Sequence, residues 1–238
     1  AKVSGDFPEL PTTDRVLSKW VDDTALFSEF VNDKLPTSPR EIDIDFTSVV
    51  HIDGIERTVK LTSKLNVTNE MSVFFRMSTP KANDFLRMYI CQLLVQCVQV
   101  SYAQRQLTKN EESELALMSI ASSHGFYFDT KRQKAIHYLY RQIEAPIEKL
   151  NLLIQLYCDG QSQPLLLNSP LAEKALTAKA LEQEEFEKYW HEGSTFQPLG
   201  KDPYVRYFWP NCPSLEDTLP MIERCYGDYL KYREQVKS

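Results

Sequence analysis

Between residues 85 and 100 nearly every position is apolar: Phe85, Leu86, Met88, Ile90, Leu93, Leu94, Val95, Cys97, Val98 and Val100. Only Arg87 and a narrow stripe of Tyr89, Gln92, Gln96 and Gln99 interrupt the run. A helix that is apolar on every side is a buried one. The pattern therefore predicts a central helix that opens at Ser78-Thr79-Pro80 and runs to about Val100. A hydroxyl residue there can cap the first N–H groups, and a proline in the first turn loses no bond. Two strands should lead into it, over 57–66 and 71–77, joined by a turn at 67–70. Upstream, Glu41 to Phe46 alternates polar and apolar with period two, the mark of a half-buried strand. Asp53-Gly54 supplies a hairpin turn, so 41–52 should pair antiparallel with 55–65.

The flanking sequence is mostly helical in pattern. Residues 14–35 place Val16, Leu17, Trp20, Phe27, Phe30 and Val31 near one helical face, and Pro36 and Pro39 end the helix. Residues 113–120 are read as a strand, 122–125 as a turn and 126–128 as a returning strand. From Lys131 to Tyr157 the apolar positions recur at helical spacing. A long helix is expected there, interrupted at Pro146 and closed by Gly160. A charged helix over 172–190, an aromatic run at 204–209 and a last helix from Pro213 complete the chain. This gives an α+β fold of mixed α/β layers. Three parts are expected: an N-terminal helical segment (1–40), an α/β core (41–160) and a helical C-terminal extension packed on the core (161–238).

Two strands feeding a buried helix are the heart of the restriction-endonuclease-like, or PD-(D/E)xK, nuclease core. Such an enzyme needs carboxylates converging on divalent ions and a lysine near the attacked phosphate. Here the first carboxylate slot falls at about Asn66 and the second at Phe74 or Phe75, with Phe75 preferred, and no carboxylate lies between Glu70 and Asp84. Both slots are vacated, so no catalytic residue, metal ligand, cofactor or small-molecule substrate is expected. No nucleophile elbow, Walker loop, H-E-x-x-H or G-x-G-x-x-G pattern occurs either. His51, His124, His137 and His191 show no ligand spacing, and Asp43 and Asp45 read as the wet face of a strand.

Composition narrows the partners. A formal charge of −6 argues against a free-standing, nonspecific DNA binder. It leaves room for a local basic site, for which Arg76, Lys81 and Arg87 are the best candidates and Lys131, Arg132 and Lys134 a poorer set. Tyr204, Arg206, Phe208 and Trp209 are candidates for a partner interface. No 18-residue apolar run and no signal peptide are visible, so no membrane role is expected. The five cysteines are odd in number and lack a C-x-x-C pattern, as expected for reduced thiols in the cytoplasm.

Three segments resemble the C-terminal part of the RecC family, the gamma chain of exodeoxyribonuclease V. Leu61-Thr62-Ser63-Lys64-Leu65 through Phe74-Phe75-Arg76-Met77 resembles its strand pair, followed by the cysteine-containing run Leu93–Cys97. Gly160-Gln161-Ser162-Gln163-Pro164-Leu165 is similar to its G-x-S-x-P-L motif. Asp202 to Trp209 is similar to its aspartate–aromatic–arginine–aromatic segment. Thr62-Ser63 departs from the pattern, since a glycine is common there. The resemblance implies a nuclease-like, RecB-nuclease-like fold without nuclease residues. It also implies a structural role among RecB-like and RecD-like subunits, with DNA passing through the complex. Two other readings stay open. One is an active metal-dependent nuclease using Asp43, Asp45 and Glu70. The other is a single-strand DNA-binding module using Arg76, Lys81 and Arg87 beside Gln92 and Gln96.

Overall fold

The computed structural model describes residues 11–52, 54–104, 112–177, 181–193 and 198–237. Helix α1 (Pro11–Lys34) is followed by three strands, β1 (Arg40–Ile52), β2 (Ile55–Val67) and β3 (Met71–Arg76). Helices α2 (Ala82–Gln104) and α3 (Glu112–Ser119) lead to β4 (Ser122–Asp129) and β5 (Lys134–Tyr140). Then come α4 (Pro146–Ser162), α5 (Ser169–Thr177), α6 (Gln183–His191), a 3-10 turn at Leu199–Lys201, α7 (Pro203–Phe208), α8 (Leu215–Lys231) and β6 (Arg233–Val236). The protein is a mixed α/β fold around one six-stranded sheet, whose spatial order follows the chain from β1 to β6.

Only β3 and β4 run parallel; the other neighbours are antiparallel. A parallel pair needs a long crossover, and α2 with α3 provides it. Being the crossover, α2 is enclosed: Met88, Leu93, Val95 and Cys97 have no exposed surface. The predicted central helix is present, beginning at Ala82 rather than Ser78. The large core lies between the sheet and α2, α4, α5 and α8, while α1 covers the opposite face through Phe27, Val31, Val73, Phe126 and Phe128.

The predicted hairpin pairs over thirteen positions from Arg40↔Val67 to Ile52↔Ile55. Gly54 has φ +74°, a turn conformation that glycine reaches without strain, while Asp53 lies outside the described residues. Several expectations need correction. Residues 113–119 are helical, and Ala116 and Leu117 are buried together with Ile120 just past the helix end. The Gln99 amide donates to the carbonyls of Leu117 and Ile120, both at 2.8 Å, occupying acceptors that a helix end leaves open. Residues 122–129 form one strand with Gly125 inside it.

The long helix over 131–157 is instead β5 and α4. Asp129 accepts the main-chain N–H groups of Lys131 and Arg132 at 3.0 and 3.1 Å, and Gln133 is left-handed (φ 50°), so the chain turns back. Ala145 is left-handed too (φ 48°), and Pro146 starts α4 instead of kinking a longer helix. Helical spacing misled here because β5 is buried on both faces. Gly160 sits in the last turn of α4, whose cap is Gln163. Of the expected helix over 172–190, residues 172–177 belong to α5 and 183–190 to α6, and β6 is a strand the sequence pattern does not predict.

One buried group gives a clean test. Tyr140 is fully buried, and its hydroxyl has no hydrogen-bond partner among the described residues. Removing an unsatisfied buried hydroxyl removes a desolvation cost, so Tyr140→Phe is expected to leave stability unchanged or raise it by about 1 kcal/mol in urea unfolding.

Candidate functional site

β2 and β3 are consecutive antiparallel strands, yet they pair only at Val67↔Ser72. From that point they diverge, and a cleft of about 250 Å³ opens between them. Asn66 from β2 and Phe75 from β3 both line it, as do Lys64, Arg76, Asp84 and Arg87. The two vacated slots read from the sequence thus meet in one place. Neither can hold a cation as a carboxylate would. Phe75 is 42% exposed, with its ring stacked on Phe126 at 5.8 Å.

The cations around the cleft are already engaged. Arg76 Nη1 donates to both oxygens of Asp84, at 2.7 and 2.6 Å. The same carboxylate accepts the main-chain N–H of Lys81 at 2.7 Å, which fixes the start of α2. The Lys81 side chain is exposed beside the cleft rather than in its lining. Arg87 lies over the Phe74 ring, 5.7 Å from its centroid. Of the three basic candidates, Arg76 and Arg87 line the cleft and Lys81 does not.

The carboxylates of the rival nuclease reading face elsewhere. Lys64 Nζ stands 2.7 Å from Glu41 and 3.8 Å from Asp43, while Lys60 Nζ is 3.0 Å from Asp45. These are exposed cross-strand ion pairs, the ordinary chemistry of a wet sheet face. Glu70 is an exposed turn residue. Among the described residues no three His, Cys, Asp or Glu side chains are grouped to hold a metal ion.

The glutamine stripe of α2 is internal, which overturns its reading as a nucleic-acid surface. Gln92 is buried and accepts from Ser123 Oγ at 2.8 Å, which in turn lies 2.6 Å from Ser72 Oγ. Gln96 clamps the main chain of Ile143, accepting its N–H at 3.0 Å and donating to its carbonyl at 3.3 Å. These amides fasten the crossover helix to the strands and loops around it.

A second polar cluster lies on the α1 face of the sheet. His124 Nδ1 is 2.9 Å from His137 Nε2, and His124 Nε2 is 2.8 Å from Ser122 Oγ. The helical spacing of 131–157 hides this pair in the sequence, whereas the β4–β5 hairpin sets the two imidazoles diagonally on one face. Burial lowers both pKa values to about 4, reinforced at His124 by the charge of His137 and at His137 by that of Lys34. A folded-state value below the unfolded 6.5 means that the unfolded chain binds more protons between those limits. Stability is therefore expected to fall as pH drops from about 6.5 towards 4. The slope should flatten in His137→Phe, as measured by urea midpoints across that range.

The aromatic segment is helix α7. Asp202 caps it by accepting the N–H groups of Tyr204 and Val205 at 2.8 and 3.3 Å, and Pro203 occupies its first turn. Tyr204 and Tyr207 are 82% and 80% exposed, Phe208 is half exposed and Arg206 is exposed. Trp209 packs against the main core and anchors the patch. Among the described residues no helix is long and apolar enough to cross a membrane.

A family model described as the RecC C-terminal domain matches residues 1–180. Its span includes the strand pair, the central helix and the motif at Gly160–Leu165; the aromatic segment at 202–209 lies beyond it. No curated protein and no solved structure matches significantly.

Proposed function

Since the chain belongs to the RecC C-terminal domain family, we propose that it is a non-catalytic assembly domain of a RecBCD-type helicase–nuclease. In this reading it is a restriction-endonuclease-like core whose cutting residues are gone. It acts in the cytoplasm in double-strand break repair and recombination, holds RecB-like and RecD-like subunits and guides DNA strands within the complex. The observation that carries it is the cleft between β2 and β3. Asn66 and Phe75 occupy the two carboxylate slots there, and the lining's single carboxylate, Asp84, is spent on Arg76. The exposed aromatic surface of α7 supports a partner-binding role, since interface anchors are enriched in Tyr, Trp and Arg.

The test is calorimetric titration of the purified chain with magnesium and manganese, with linear DNA present, followed by co-purification with RecB-like and RecD-like chains. No metal binding, no cleavage and stable co-purification are expected. DNA loss abolished by Asp43→Ala or Asp45→Ala would overturn the non-catalytic reading. The triple change Tyr204→Ala, Tyr207→Ala and Phe208→Ala is expected to weaken partner binding at least about tenfold. It should leave the melting temperature unchanged, because these side chains are largely exposed.

A further inference from the structure

β3 and β4 run parallel, so both end on the same side of the sheet and the segments that follow them meet there. Phe128 N–H donates to Ser78 O at 3.3 Å, which ties the loop after β3 to the end of β4. Between that loop and the β4–β5 turn lies an open cleft of about 320 Å³, lined by Ser78, Thr79, Asp129, Thr130, Lys131 and Arg132.

Which of these charges are already engaged decides what the cleft can hold. Asp129 is buried and is the only carboxylate in the lining. One of its oxygens accepts the main-chain N–H groups of Lys131 and Arg132, at 3.0 and 3.1 Å, and the other lies 3.8 Å from Arg132 Nη1. That ion pair is long and the arginine side chain is 84% exposed, so little holds it back from another anion. Lys131 has no carboxylate at ion-pair distance among the described residues. Neither has Lys81, two residues beyond Thr79, nor Lys134, the strand partner of Asp129. All three lysines are exposed. The acids beside the turn and the loop are engaged elsewhere: Asp23 holds Lys19 and Gln133, and Asp84 holds Arg76. On the open face of β1 and β2, by contrast, Lys60 and Lys64 each stand against a carboxylate. The basic turn, the poorer candidate by sequence, thus carries the unpaired charge.

We propose that this cleft holds the phosphodiester backbone of a DNA strand. Lys131 and Arg132 would contact a phosphate, the hydroxyls of Ser78 and Thr79 would donate to it, and Lys81 and Lys134 would add charge around it. The lining has no aromatic ring and no amide side chain, so it can grip phosphates but not stack or read bases. The contact should be indifferent to sequence. A chain of net charge −6 gains no general attraction for DNA, so its affinity must come from a local cluster. The inference rests on the reading that DNA strands are guided within the complex, and it names where this chain touches one.

The test is fluorescence anisotropy of labelled oligo-dT with the purified chain, over a salt series starting at about 50 mM. Lys131→Glu with Arg132→Glu is expected to weaken binding at least about tenfold and to lower the slope of log affinity against log salt by about 1–2. Lys60→Glu with Lys64→Glu changes the net charge equally but elsewhere, and should weaken binding less than about threefold because salt screens it. Oligo-dA should bind like oligo-dT. Lys131→Gln with Arg132→Gln removes charge without adding any, and keeps the test decisive if the reversed pair disturbs the turn. No binding by the unaltered chain, equal losses in the two reversed pairs, or a strong preference for one oligonucleotide would overturn the proposal. These outcomes leave the assembly reading standing while RecB-like and RecD-like chains still co-purify. Loss of that co-purification by the unaltered chain sinks the assembly reading instead.

Discussion

Phe126→Ala is expected to lower the unfolding free energy by about 3–5 kcal/mol, a large share of what a domain of this size holds in reserve. Phe126 has no exposed surface and sits in the small core beneath α1. Its ring meets Phe30 at 6.1 Å, Phe75 at 5.8 Å and His137 at 4.6 Å. Truncation leaves a cavity bounded by two strands and a helix that cannot close without moving α1. Urea unfolding gives the magnitude. Limited proteolysis adds the location, since cleavage within α1 should accelerate before cleavage in the central helix. A loss below about 1 kcal/mol would mean that the α1 face packs loosely.

The neighbouring residue tests the opposite face by the opposite means. A Cβ on Gly125 would stand 2.5 Å from Met88 Sδ and 2.6 Å from Tyr127 Cε2. The backbone there needs no glycine conformation, so the cost is purely one of space. Both neighbours are buried, and Tyr127 Oη donates to Met88 Sδ at 3.0 Å, so neither moves without breaking that contact. Gly125→Ala is expected to cost about 1–3 kcal/mol, and Gly125→Val more. Adding Met88→Ala should recover only part of the loss, because the tyrosine ring still blocks the site. A double-mutant cycle read in urea checks this. Full additivity would show that the methionine does not limit the space.

Much of the core was legible in the residues because local pattern and tertiary role agree there. The 40–67 hairpin alternates in sequence and is half-buried in space; α2 is apolar on nearly every side and is enclosed over most of its length, with Arg87 exposed. Asn66 and Phe75, read as vacated positions on separate strands, line one cleft. Legibility failed where burial removed the contrast on which periodicity depends. β5 has neighbours on both faces, so its apolar run imitated a helix, and with it went the His124–His137 pair. The amides of Gln92 and Gln96 look like a polar stripe in sequence, but only the fold shows that Ser123 and the backbone of Ile143 consume them. Position along the chain gave no hint that β2 and β3 separate, because divergence is set by what packs between strands.

The last strand carries a kinetic consequence. β6 joins the sheet by pairing Val236 with His137, partners roughly a hundred positions apart along the chain. Until that loop closes, β5 presents an open flank during folding, and transiently unpaired flanks of this sort seed aggregation. Registration of Arg233–Val236 covers that flank and leaves β6 as the edge strand, so its speed governs how long β5 stays exposed to neighbouring chains.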